Sequence, residues 1–155
     1  MNYLLTFILK KFVHYFGNFL RSLNMIYLKM TGVSIGKGCM ISLRAKIDTR
    51  RGEIIIGNNC IITYGCIILS HDASARRINP SDNGSGKVII EDNVFIGVNS
   101  VVLRNVTIGK NSVVGAGSVV SCDIPPNVVA TGNPARVTKE LIPPKQKFNK
   151  LIEGE

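Results

Sequence analysis

From Ile90 to Val120 an aliphatic residue returns at every sixth position without a miss: Ile90, Ile96, Val102, Ile108, Val114 and Val120. A period of six fits neither the 3.6-residue turn of a helix nor the two-residue alternation of a plain strand. It fits a chain that makes a short strand, turns a corner and repeats. Three such hexads close one coil of a triangular prism, and coils stack at about 4.8 Å, the interstrand spacing. Four places after each aliphatic stand Val94, Ser100, Val106, Ser112, Ser118 and Ile124, mostly small or β-branched. The aliphatics then form an inward ladder, and the small residues sit at corners where bulk would clash. Gly, Asn and Asp suit corners that need unusual backbone angles. The first half repeats the pattern at Ile35, Ile41 and Ile47 and again, after a three-residue insertion within Thr49 to Ile55, at Ile56, Ile62 and Ile68. The expectation is an all-β chain: a parallel β-helix of about five coils from Ile35 to about Pro134.

The pattern divides the chain. Residues 1–32 have helical rather than hexad spacing, residues 33–138 form the β-helix with a protruding loop at 73–87, and residues 139–155 read as an exposed tail or short helix. An aromatic content of 6% with no Trp fits many thin, similar layers. Cys39, Cys60 and Cys66 fall on the small-residue position, so they read as buried corner residues and not as nucleophiles. No CxxC pair is present, and with only His14 and His71 no zinc cluster assembles, so no metal is expected.

A formal charge of +9 points to an anionic partner. Nucleic acid is not expected, because outside the first thirty residues no basic run alternates with aromatics. Residues 1–30 hold Lys10, Lys11, Arg21 and Lys29 and no Asp or Glu. Such a basic amphipathic helix can lie on an anionic membrane, or it can cap the first coil or pack within an oligomer. The first apolar run lacks a charged region before it and stops at Lys10, too soon for a membrane span. A cytoplasmic protein, with peripheral contact at the inner membrane surface as one option, is the expectation.

His71 stands in "ILSHDASARR", immediately before the loop that breaks the register. Long loops interrupting a regular repeat are usually functional or disordered. Free imidazole titrates near neutrality, which suits a general base. Its orienting carboxylate is either the adjacent Asp72 or Asp48 on an earlier coil.

The stretch "IIEDNVFIGVNSVVLRNVTIGKNSVVGAGSVVSCDIPPNVVATGNPARV" resembles the left-handed β-helix, hexapeptide-repeat acyltransferases. It is similar to the galactoside, maltose, xenobiotic and polysaccharide O-acetyltransferases within them. Phe95 stands where that family usually has Trp. The resemblance implies a left-handed coil, a homotrimer with sites between neighbouring prisms, and acetyl-CoA as co-substrate. It matches His71 to the catalytic histidine, and Asp72 to the acidic neighbour of some sugar-acetylating members. For the cofactor it implies contacts from Gly97, Val98, Ala116 and Ser121, with Arg136 and Lys139 at the nucleotide phosphates. Gly97, or its neighbours in "FIGVN", is also the candidate for the oxyanion donor or for close approach of the cofactor. Arg76 and Arg77 take the place of acceptor-binding residues and suit an anionic acceptor or sugar phosphate.

The expected reaction is acetyl transfer to a hydroxyl of a sugar or polysaccharide precursor. Transfer to an amine of an amino-sugar nucleotide, to serine or to a xenobiotic is the enzymatic alternative, and a β-helical scaffold the non-enzymatic one. A metal-dependent hydratase of γ-carbonic-anhydrase type needs three histidines that the repeats do not supply.

Overall fold

The computed structural model describes residues 2–48 and 50–141. Most of the expected tail, 142–155, and Thr49 in the first insertion lie outside the described residues. The chain opens with helix α1 (Asn2–Met30) and then winds through strands that repeat on three faces. The first face holds β1 (Ser34–Ile35), β4 (Glu53–Ile56), β7 (Lys87–Ile90) and β10 (Val106–Ile108). The second holds β2 (Met40–Ile41), β5 (Ile61–Ile62), β8 (Phe95–Ile96), β11 (Val113–Val114) and β13 (Val128–Thr131), closed by β14 (Arg136–Glu140). The third holds β3 (Lys46–Ile47), β6 (Ile67–Ile68), β9 (Val101–Val102) and β12 (Val119–Val120). Neighbours on each face are parallel, except that β14 is antiparallel to β13. The topology fits a left-handed β-helix, with Ile124 bridging Ile108 at the start of a coil beyond β12.

The register explains the six-residue period. Ile56 pairs with Ile90, and Ile90 with Ile108; Ile62 pairs with Ile96, and Ile96 with Val114; Ile68 pairs with Val102, and Val102 with Val120. All are buried, so each face contributes one aliphatic ladder to a shared axial core. The alternate residues point outward and are also apolar: Ile61, Phe95 and Val113 on the second face, Ile67, Val101 and Val119 on the third.

Cys and Ser play one role at the corners. Sγ of Cys39, Cys60 and Cys66 lies 3.0, 3.0 and 3.1 Å from the carbonyls of Gly57, Glu91 and Gly97 one coil on. The Ser100 and Ser112 hydroxyls do the same to Gly115 and Pro125 at 2.9 and 2.8 Å. Burial pushes the Cys60 thiol up to about 11, which suits a packed corner and not a nucleophile.

Asn residues hold the left-handed corners. Asn59, Asn93, Asn111 and Asn127 all have φ between 54 and 59°. Their side chains form a ladder, each Nδ2 donating to the next Oδ1 at 3.3, 3.0 and 2.9 Å. Asn93→Ala places a Cβ residue without a bonding amide in this region and interrupts the ladder. We expect a loss of about 1–2 kcal/mol in urea unfolding. Asn93→Gly, which relieves the backbone but not the ladder, should lose less.

At the ends, Met25 and Leu28 of α1 pack onto the first coil. Beyond β13 the chain turns back and β14 covers its edge. This strand runs across the 138/139 boundary drawn from sequence, because edge pairing follows backbone geometry after the hexad pattern has ended.

Candidate active site

The loop after β6 is closed at its base by antiparallel pairing. His71 bridges Ser85, and the Asp72 and Gly86 N–H groups donate to the Gly84 and Ser70 carbonyls at 2.7 and 2.8 Å. Gly84 has φ +79°, and a Cβ there would stand 2.5 Å from the Asp72 carbonyl oxygen. Within the loop, α2 (Ala75–Ile78) forms a single helical turn. Arg104 from the coil above clamps Asp82 with two hydrogen bonds of 3.1 and 2.6 Å and reaches the Ser85 carbonyl at 3.1 Å. The insert is thus held to the prism at the point where His71 emerges.

The carboxylate against His71 is Asp48, not Asp72. Nδ1 of His71 meets Oδ2 of Asp48. Asp72 instead accepts from the Ser74 N–H and hydroxyl at 2.8 and 2.6 Å. His71 lies in extended backbone, where adjacent side chains point to opposite sides, so its neighbour in the chain is turned away. Asp48 stands one coil earlier at the same corner, its N–H donating to the Ile68 carbonyl at 2.9 Å. The Asp48 side chain is 4% exposed and that of His71 18%. Burial alone raises the Asp48 carboxyl, but hydrogen bonds from His71 and from the Arg50 N–H and guanidinium together hold it below its usual value. With Nδ1–H given to this carboxylate, Nε2 is the ring nitrogen that can accept a proton.

Two concavities meet at His71. One, of ≈ 380 Å³, is lined by Arg50, Arg51 and Arg76 with Asn83 and Gly84. The other, of ≈ 440 Å³, is lined by Leu69, Leu103, Arg104, Asn105 and Ser121. His71 and Asp72 line both. A base between a cationic hollow and a partly apolar one can receive two different reactants, one on each side.

The remaining expected residues fall in two places. Ser121 lines the second concavity, and Arg136 is next along that corner, its Nη1 3.8 Å from Cys122 Sγ. Gly97, Val98 and Ala116 lie at the other end of the third face. A Cβ on Gly97 would stand 2.5 Å from the Ala116 nitrogen, and the Gly117 N–H donates to the Val98 carbonyl at 2.8 Å. The Gly97 N–H is committed to the Val114 carbonyl at 2.8 Å, so Gly97 is not an oxyanion donor. Lys139 sits on β14 opposite Val129, exposed and away from His71. Arg76 lines the first concavity, whereas Arg77 lines neither. Sequence reading missed Arg50, Arg51, Leu103 and Asn105. The available signal for the arginines was the insertion in the first half, which carries Arg50 and Arg51 to the same corner as the larger loop.

The family model described as "Hexapeptide repeat of succinyl-transferase" matches residues 87–122. Protein CapG of Staphylococcus aureus is 40% identical over 126 residues, which cover 78% of this chain and 73% of CapG. A galactoside O-acetyltransferase of Lactococcus lactis subsp. lactis is 40% identical over 94 residues, 57% of this chain but only 44% of that relative. Among solved structures, the hexapeptide-repeat-containing acetyltransferase VCA0836 of Vibrio cholerae, complexed with acetyl coenzyme A, is 31% identical with a TM-score of 0.61. That match covers 72% of this chain and 62% of the other. The chain thus spans less than two thirds of two of these three relatives.

Proposed function

Since this chain belongs to the hexapeptide-repeat acyltransferase superfamily, we propose that it moves an acetyl group from acetyl-CoA to a hydroxyl of a sugar or polysaccharide precursor. The observation that carries this reading is the Asp48–His71 pair set between two concavities. His71 Nε2 takes the proton of the acceptor hydroxyl as its oxygen attacks the thioester carbonyl. The tetrahedral intermediate collapses with loss of the CoA thiolate, which recovers that proton from the imidazolium. No acyl-enzyme is needed, in keeping with thiols engaged at the corners. Asn105 is a candidate for stabilising the oxyanion: its Oδ1 is taken by the Lys87 N–H at 3.1 Å, which leaves the amide Nδ2 as the donor.

The acceptor belongs in the hollow of Arg50, Arg51 and Arg76, where guanidinium groups favour a sugar with a carboxylate or phosphate. The pantetheine arm belongs against Leu69, Leu103 and Ser121, with Arg136 toward the phosphates. Gly97, Val98 and Ala116 lie one prism side away, so a single copy does not present both groups to one ligand. A homotrimer that sets that corner of one prism against the Ser121 corner of its neighbour reunites them, and the outward apolar ladders supply contact surface. A cytoplasmic setting completes the reading, with all four cysteines free.

Calorimetric titration with CoA tests the cofactor half without an acceptor. We expect saturation near one CoA per chain, and affinity reduced roughly tenfold or more by Arg136→Ala through loss of a charge-assisted phosphate contact. A folded protein that releases or absorbs no heat with CoA is incompatible with the proposal. An acceptor screen with neutral and anionic sugars, hydroxylated and aminated, then reads the acceptor half.

A further inference from the structure

Helix α1 carries an apolar face that the prism leaves uncovered. Wound at 100° per residue, Phe12, Phe16, Phe19, Leu23, Ile26 and Met30 fall on one stripe. All six are exposed, as are Val13 and Tyr15 beside them. The prism touches another side: Met25 and Leu28 pack on the core, and Arg21 Nη1 lies 3.6 Å from Met40 Sδ. Lys10, Lys11, Arg21 and Lys29 lie off the stripe.

We propose that α1 lies along an anionic membrane surface, with its apolar stripe in the acyl boundary and Lys11 and Lys29, which flank the stripe on one edge, at lipid phosphates. Charge selects this occupant over a second copy of the helix. The stripe has the alternating four- and three-residue spacing of a coiled-coil seam, but the seam is too broad, because Val13, Leu20 and Tyr27 extend it along one flank. An identical helix brings four more cations and, with no Asp or Glu in residues 1–30, no acid to meet them. Anionic lipid supplies an apolar boundary for the stripe and phosphates for the flanking Lys11 and Lys29. The stripe is rich in aromatics, which favour the membrane interface. Among the described residues no helix is long and apolar enough to cross a membrane, so α1 lies on the surface and does not span it. The stripe from Phe12 to Met30 lays down a contact about 28 Å long on a helix of 29 residues.

Flotation of the full chain with vesicles tests this independently of acetyl transfer. The protein should rise with phosphatidylglycerol–phosphatidylcholine vesicles at low salt. Binding should be at least roughly tenfold weaker on pure phosphatidylcholine or in high salt. Phe16→Glu with Phe19→Glu should abolish flotation while leaving far-UV circular dichroism, thermal unfolding and sedimentation mass unchanged, because both side chains are exposed. Wild-type protein that stays at the bottom, or that floats equally on neutral vesicles, overturns the proposal. So does a double variant that floats like wild type. A double variant that changes the mass of the assembly, with no flotation by wild type, identifies a second copy as the occupant instead.

Discussion

Replacing His71 with Ala should lower the rate of acetyl transfer by about 10²–10⁴-fold, the range that a positioned general base contributes. The loss should fall on kcat, since the imidazole matters most while the acceptor proton is moving. CoA affinity should change little, because Leu69, Leu103 and Ser121 form their side of the groove without the ring. The fold should also survive: His71 stands at the mouth of the insert, outside the aliphatic ladders, and its backbone bridge to Ser85 does not need the side chain. Steady-state kinetics with acetyl-CoA and an accepted sugar, paired with CoA calorimetry on the same variant, measures both halves. If transfer continues at the wild-type rate, another group removes the proton and the proposed chemistry is wrong. If CoA binding disappears along with transfer, His71 supports the groove and its role as base is unproven by the kinetics alone, so the pH profile of a His71→Gln variant becomes the deciding reading.

The fold was legible in the sequence because its core obeys a local rule. Each inward aliphatic lies six residues from the next, and one coil's register forces the following one, so Ile90 to Val120 specifies the prism unaided. The small-residue position was equally clear, and Cys60 and Cys66 occupy it just as Ser100 and Ser112 do. The site was less legible because it is made between coils. His71 could be picked out by its place beside the insert, but its carboxylate partner lies 23 positions away, and chain adjacency favoured Asp72. Gly97 stood in a suggestive run, yet whether its N–H was available depended on the strand above it. Arg50 and Arg51 were missed because nothing local in the sequence places the first insertion beside the second. For α1, helical spacing gave the element, but only packing shows that Met25 and Leu28 meet the prism while the aromatic stripe does not.

Asp48→Asn should be nearly as damaging to turnover as loss of His71, on the order of 10²–10⁴-fold in kcat, for a different reason. The amide is close in shape to the carboxylate, so the corner can keep its geometry. What is lost is the anion that accepts from Nδ1–H and stabilises the imidazolium formed on proton transfer. An amide can also donate to Nδ1 and so favour the tautomer with its proton on Nε2, which cannot act as base. Asp72→Asn should do less, because Asp72 spends its carboxylate on Ser74. Acid unfolding provides a second, non-catalytic reading. The folded-state carboxyl of Asp48 is held below its ordinary value of 3.8, so its ionised form favours the native state at neutral pH. That contribution is complete above the unfolded-state value and is lost as pH falls through the lower, folded one. The urea midpoint of the wild type should therefore fall more steeply than that of Asp48→Asn below about pH 4, with the gap between them narrowing on acidification. A gap that stays constant across that window would mean that Asp48 is not held as an ionised partner of His71, and a full-rate Asp48→Asn enzyme would leave the histidine without its orienter.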